Sequence, residues 1–391
     1  MAQQPLEGSQ AIAQAVALCR PQVVAAYPIT PQTHIVENLA KLIADGKLAC
    51  ELVSVESEFS AASVVLGAAA AGSRAYTATS SQGLLLMTEV LFNIAGLRVP
   101  LVLTCANRTV GAPVSLGNDH QDSMAVRDAG WVQLYCADNQ EAIDTTIHAF
   151  RIAERCELPV MVCVDGFTLT HTLEPLEVPA QQQVDNFVGP YAFARTLKPT
   201  DPITLGTVLS HEFYPEVRHA HHRALLDAQE EIVAADREWH ALTGRSTGGL
   251  LSIEGPPDAQ TAILTIGSIL GTLADAQAEY RDQAPAKLIK LRAFRPFPVD
   301  ALKQACEGLR ELVVVERAVS LGSGGIIAAE VRAALSEMSS PPRVHSYAIG
   351  LGGRDVPMNA YPKLVAAAQS ESPPRFAIFD LQPAKLPAED R

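Results

Sequence analysis

The stretch VVAAYPITPQTHIVENLA, Val23 to Ala40, sets one threonine hydroxyl between two prolines where an apolar run gives way to a helical pattern. Thr30 there is an N-cap candidate, and Pro31 suits the first helical position, where its missing N–H costs nothing. Two carboxylates, Glu56 and Glu58, follow in VESEFSAA. Either could handle a proton, or simply complement the dipole of the helix that starts beside them. Arg108 ends the apolar run PLVLTCANR. Its guanidinium fork suits a carboxylate ligand, although a lone strand-end arginine more often serves an ion pair. Asp119, His120 and Asp122 in the loop GNDHQD suggest a triad or a metal, but no nucleophile pattern accompanies them and they read as loop scaffold. The run HAHH at 219–222 opens a long charged helical pattern with no further ligand set, so it reads as a solvated helix face.

These groups need elements to hold them. Val23 to Ala26 reads as a short buried strand, and Ile35, Leu39, Leu42 and Ile43 recur on one helical face before the stop signal Asp45-Gly46. The turn between them then lies at the carboxyl edge of a strand, where open α/β sheets bind ligands. The strands ELVSVES, RAYTATS, PLVLTCANR, WVQLYCAD and LPVMVCVDG alternate with helical segments such as EFSAASVVLGAAAAG and GLLLMTEVLFNIAGL. This alternation implies a parallel sheet with helices on both faces. SSQG, Ser80 to Gly83, should cap the helix that follows it. From Leu173 a proline-rich stretch reads as an extended connection, and an amphipathic helix follows from about Glu216 to Leu242. A second alternation runs from AQTAILTIGSI through the strand KLIKLRAFRPFP to ELVVVERA and RVHSYAIGLGG. The fold class is therefore α/β with two parallel-sheet domains: residues 1–245 with linker and long helix, then 257–366, then a tail at 367–391. GSGG and GLGGRD lack the G-x-G-x-x-G spacing, and no Walker A motif occurs, so tight turns or close backbone approaches are predicted there.

Composition limits the function classes. Of the 391 residues, 48% are hydrophobic and 19% charged, with no apolar run long enough to cross a bilayer and no signal-peptide pattern at MAQQPLEGSQ. A cytoplasmic chain with no membrane partner is expected. The net charge of −13 argues against nucleic acid as a partner. Seven scattered cysteines include no C-x-x-C pair, the usage of reduced thiols and not of a cluster-binding chain.

Taken together, YPITPQTHIVE, VESEFSAA, TATSSQGLLLM, CANR with GNDHQD, LPVMVCVDGF, FRPFP, GSGG and GLGGRD resemble, in order and spacing, the α subunits of the pyruvate:ferredoxin oxidoreductases, within the 2-oxoacid:ferredoxin oxidoreductase family. The resemblance implies oxidative decarboxylation of pyruvate with coenzyme A to acetyl-CoA and CO2, using thiamine diphosphate and reducing ferredoxin. It implies a first domain similar to the pyrimidine-binding half of a thiamine site and a second resembling the carboxyl-terminal domain of transketolases. No Gly-Asp-Gly turn is present, so Mg2+ and the diphosphate side fall to a β subunit. The [4Fe-4S] clusters likewise fall to partner subunits, in a complex with β, γ and δ chains expected as a dimer of heterotetramers. Alone, this chain should be inert.

Residue by residue, Glu58 resembles the carboxylate that hydrogen-bonds the aminopyrimidine ring and favours its imino tautomer, so that the exocyclic nitrogen can take the thiazolium proton. Thr30 and Arg108 are implied at the substrate's carbonyl and carboxylate. Tyr27, Pro28, Ile29, Ser81 and Gln82 are implied along the cofactor pocket, and no metal ligand is assigned. Arg295 reads as interface. The same family acting on branched-chain 2-oxoacids or 2-oxoglutarate, and a non-catalytic scaffold subunit, are the alternatives.

Overall fold

Short apolar runs bounded by turn residues become strands throughout the computed structural model, which describes residues 3–370 and 372–390. In chain order the strands are β1 (Gln4–Glu7), β2 (Val23–Ala26), β3 (Glu51–Ser54), β4 (Ala75–Thr79), β5 (Leu101–Asn107), β6 (Val132–Tyr135), β7 (Pro159–Asp165) and β8 (Leu173–Leu176). The series continues with β9 (Leu251–Glu254), β10 (Thr261–Thr265), β11 (Lys287–Leu291), β12 (Ala293–Arg295), β13 (Glu311–Glu316), β14 (Arg343–Ala348) and β15 (Ala377–Ile378).

The first sheet has the order β12-β6-β7-β5-β4-β2-β3 and is parallel except for β12. Its central strands β4, β5 and β7 are buried along their whole length, as a sheet covered on both faces requires. The chain pairs β3 on one side of β2 and then β4 on the other, so the winding reverses between β2 and β4. Loops leaving the carboxyl ends of such a strand pair diverge and open a crevice. The second sheet, β15-β14-β13-β10-β11-β9, is parallel except for β9 and reverses between β10 and β13.

That second crevice is filled from within the chain. Asp165, at the end of β7, reaches across to β10 and β13: one carboxylate oxygen accepts from the backbone N–H of Ser268 (3.1 Å), from the Ser268 hydroxyl, and from Arg317 Nη1 (2.9 Å). The other lies 2.6 Å from His120 Nε2. Burial alone would raise the Asp165 pKa, but His120, Arg317 and Ser268 outweigh it and hold the carboxyl well below the usual carboxylate range. One apolar core is continuous across this junction, with Leu103 and Trp131 from the first sheet's side and Leu264 and Val314 from the second.

Several local expectations are met and some are corrected. The long helix spans Tyr214–Thr243, and the tail packs β15 beside β14. GLLLMTEVLFNIAGL is two helices, Ser81–Leu86 and Thr88–Gly96, that meet at Met87. The stretch read as an extended connection contains β8, paired antiparallel with β1, and the helix Gln181–Val188. KLIKLRAFRPFP is two strands in different sheets. Between them Arg292 is fully buried, donating to Gly249 O (2.9 Å) and Thr145 Oγ1 (3.1 Å), while β12 pairs with β6. His221 also departs from a solvated face, being buried with Nε2 3.1 Å from Gly130 O, whereas His219 and His222 are exposed.

Both glycine clusters are tight approaches, as the spacing predicts. Gly325 precedes the helix Ile326–Leu335, whose free N–H groups at Ile326, Ile327 and Ala328 are taken by the buried Glu316 carboxylate at 2.8, 2.9 and 3.2 Å. A side chain at Gly325 would strike that carboxylate. The helix end that would otherwise receive a phosphate is satisfied by the chain itself. Among the described residues no helix is long and apolar enough to cross a membrane.

A carboxylate held low stabilises the fold above its unfolded pKa of about 3.9 and loses that contribution as pH falls through the folded value. Asp165→Asn leaves Arg317 buried without its partner and should cost about 3 to 5 kcal/mol at neutral pH. The deficit should shrink as pH drops below about 4. Urea midpoints at neutral and acidic pH check both, and an unchanged neutral midpoint would remove Asp165 as an anchor between the sheets.

Candidate functional site

Three loops converge on the crevice between β2 and β4. The first runs from Tyr27 to Gln32. Its helix spans Thr33–Ala44, so Thr30 is not the N-cap and Pro31 is not at the first helical position. Gln32 holds the turn instead: its Oε1 accepts from Ile29 N–H (3.2 Å) and its Nε2 donates to Ala78 O on β4 (2.8 Å). Tyr27, Pro28 and Thr30 are exposed and Ile29 is half-buried. The expected capping role of the Thr30 hydroxyl is thus replaced by a buried glutamine two residues on, which leaves the hydroxyl on the surface of the crevice.

The second loop follows β4. Ser81 adopts a left-handed backbone (φ 50°), and its N–H donates to Asp122 Oδ2 (2.9 Å) while its hydroxyl donates to Thr109 O (2.5 Å). The Ser81 backbone donor is therefore committed inside the protein. Gln82, next in line, is exposed. Ser80 occupies the N-cap position, yet its hydroxyl makes no capping bond and is buried without a partner, as is the Thr79 hydroxyl.

The third loop leaves β5 at Arg108, which is only 7% exposed. Its Nη1 donates to Thr30 O (2.6 Å) and its Nη2 to Gln82 Oε1 (2.6 Å), while Nε is buried with no partner. One guanidinium thus ties the first two loops together. Burial lowers the Arg108 pKa, opposed by the charges of Asp122 and Glu58.

Glu58 opens the helix Glu58–Ala70, with Ser57 as N-cap accepting from Ser60 N–H (3.2 Å). The two competing carboxylates separate by environment. Glu56 is exposed and engaged by the Ser60 hydroxyl, which lowers its pKa. Glu58 is 7% exposed, and its carboxylate accepts no hydrogen bond among the described residues. A Cβ placed on Gly83 would sit 2.6 Å from both Glu58 Oε1 and Thr79 Oγ1, so only glycine leaves this carboxylate its space. A buried carboxylate without a partner, beside unpaired hydroxyls at the mouth of a crevice, is a cradle for a ligand that donates a hydrogen bond. It fits a protonated or imino ring nitrogen.

Asp122 is the residue that sequence reasoning undervalued. It accepts from Ser81 N–H (2.9 Å), Arg108 N–H (3.1 Å), Asn107 Nδ2 (2.8 Å) and Ser123 N–H (2.7 Å). Burial raises its pKa against these donors. Its place in GNDHQD carried only a polar-loop signal, since the partners come from strand ends remote in sequence. Its neighbour Asp119 accepts from Gln121 N–H (3.0 Å) and is pushed by burial to about 6. Arg295 lies apart, paired with Glu330 (2.7 Å) and Asp128 (3.5 Å), in keeping with a structural role.

Residues 14–237 match the family described as "Pyruvate flavodoxin/ferredoxin oxidoreductase, thiamine diP-bdg", and residues 259–360 match "Pyruvate:ferredoxin oxidoreductase core domain II". The pyruvate synthase subunit PorA of Methanosarcina barkeri (strain Fusaro / DSM 804) is 44% identical over 365 residues, covering 92% of this chain and 91% of the relative. The ketoisovalerate oxidoreductase subunit VorA of Pyrococcus abyssi (strain GE5 / Orsay) is 38% identical over 352 residues, covering 90% and 89%. A solved structure of 2-oxoglutarate:ferredoxin oxidoreductase from Magnetococcus marinus shares the fold at a TM-score of 0.71 and 21% identity. The likeness covers 93% of this chain but spans 65% of that one. With its first family match extending over more than half its length, the chain belongs to the pyruvate:ferredoxin oxidoreductase family.

Proposed function

We propose that this chain is the α subunit of a pyruvate:ferredoxin oxidoreductase and supplies the pyrimidine side of a thiamine diphosphate site completed by a β subunit. The observation that carries this reading is the buried, unpartnered Glu58 carboxylate at the first sheet's switch point. When bound, thiamine diphosphate supplies the carbon nucleophile that attacks the 2-oxoacid carbonyl. Glu58 would accept a hydrogen bond from the aminopyrimidine ring and so bias the proton balance at the exocyclic nitrogen. Its 7% exposure limits the water that competes for the carboxylate. Gln82 and the Tyr27–Ile29 segment would line the ring's approach, with Ser81 shaping the turn through the bond to Asp122.

Arg108 would receive the substrate carboxylate, and Thr30 would stand beside the carbonyl. The second hydrogens on Nη1 and Nη2 remain after the bonds to Thr30 and Gln82, so the fork can hold an anion without first breaking its own loop contacts. Mg2+, the [4Fe-4S] clusters and the coenzyme A site would belong to partner subunits, with ferredoxin as electron acceptor. Similarity to PorA subunits favours pyruvate, and similarity to a VorA subunit makes branched-chain 2-oxoacids the second candidate. The assembled complex, assayed anaerobically on pyruvate, 2-oxoisovalerate and 2-oxoglutarate, tests the substrate assignment. Preference for either of the latter two overturns it.

Two substitutions probe the site in the assembled complex. Glu58→Gln keeps shape but removes the charge, and exchange of the bound cofactor's C2 proton for deuterium should slow by at least about 100-fold, the usual share of acid–base assistance. Wild-type exchange in that variant would refute the role of Glu58. Arg108→Ala should lower kcat/KM for pyruvate by about 10- to 150-fold, matching about 1.5 to 3 kcal/mol for a lost charged hydrogen bond. Unchanged kcat and KM would exclude Arg108 from substrate binding.

A further inference from the structure

Outside the crevice, three segments remote in sequence bring metal-binding side chains together. Glu7 ends β1, His34 lies in the first turn of the helix Thr33–Ala44, and His171 closes the loop that follows β7. One ligand atom from each lies within 4.8 Å of the others. His34 Nδ1 is 2.8 Å from Glu7 Oε1, and the two imidazole centroids are 4.5 Å apart with their planes inclined by 33°.

The cluster has the support of a built site. Thr170 Oγ1, which accepts from Phe167 N–H (2.9 Å), lies 2.7 Å from His171 Nδ1. This contact orients the ring and turns the other nitrogen outward, as outer partners do at protein metal centres. Among the described residues, Nε2 of His171 has no hydrogen-bond partner. The Thr170 carbonyl is itself held by the N–H (2.9 Å) and the hydroxyl (2.6 Å) of the buried Ser9, so the loop is anchored to the first turn of the helix Gly8–Leu18.

We propose that Glu7, His34 and His171 form a binding site for a divalent transition metal of the Zn2+, Co2+ or Ni2+ type. Two imidazoles and one carboxylate suit these ions, whereas Mg2+ and Ca2+ prefer oxygen alone. Three protein ligands leave a position open to water. The rings partly face each other, so binding turns the half-exposed His34 ring edge-on about χ2, a soft torsion for histidine, while Thr170 holds His171. An ion here would pin the end of β1 to the loop after β7 and to the helix one turn beyond Thr30. Gly166 in that loop already packs on Pro31, so the ion would brace the turn that presents Thr30 from its outer side. The site depends on residues of this chain alone and stands apart from the thiamine reading.

The test is calorimetric titration of Zn2+ into the full chain after chelator treatment, repeated with Co2+ while recording its electronic spectrum. We expect one equivalent bound, no heat from Mg2+, and affinity weakened at least about tenfold in His34→Ala and in His171→Ala, since loss of groups that merely orient a ligand already costs that much. Glu7→Gln should weaken binding too. His219→Ala/His222→Ala, which removes the exposed histidines of the long helix, should leave it unchanged. Circular dichroism verifies folding; should His171→Ala fail to fold, the half-exposed His34→Ala decides. Absence of stoichiometric binding, binding indifferent to His34→Ala, loss confined to the His219/His222 variant, or a thiolate band in the Co2+ spectrum would each overturn the assignment.

Discussion

The carboxylate of Asp165 is the contact on which the two halves of this molecule depend. It sits where the second sheet reverses its winding, a place that open α/β sheets ordinarily keep for a ligand. By occupying that crevice with a charge anchored on β7, the chain turns the second sheet into a support for the first. The same economy recurs at Glu316, which fills the helix end behind GSGG. Both of these positions are internally satisfied, and the first sheet alone keeps an open switch point.

At that open end the order of assembly follows from one buried acid. Asp122 fixes the backbone of Ser81 and of Arg108 at once, so two strands deliver their next residues at a set separation. Arg108 then reaches the Thr30 carbonyl and the Gln82 amide, which brings in the loop after β2. Glu58 stands outside this network, buried with its carboxylate unsatisfied. A buried carboxylate left over beside the unpaired Thr79 and Ser80 hydroxyls marks the place that a ligand would fill.

Much of this was legible in the sequence because it is local. The alternation of apolar strands with helical periods is written residue by residue, and it marked β2, β4, β5 and β7 along with the edge where Thr30 and Arg108 lie. What depends on distant partners was not. The helix start at Thr33 is set by Gln32 bonding to β4, which no capping rule could foresee. Glu56 and Glu58 are indistinguishable as letters two apart, and burial separates them. His34 and His171 carry no spacing signal, since 136 intervening positions fold back to bring them together.

The short strand β12 has a consequence for how such a chain can be divided. Although it emerges from the second half, it completes the outer edge of the first sheet by pairing with β6. A cut between the two halves would strip that cover and leave the buried backbone of β6 as a bare, adhesive margin. The two units are therefore not cassettes to be shuffled separately. A fusion, split gene or permuted variant of this architecture would have to carry residues 293–295 with the first unit, or replace them with a strand from elsewhere.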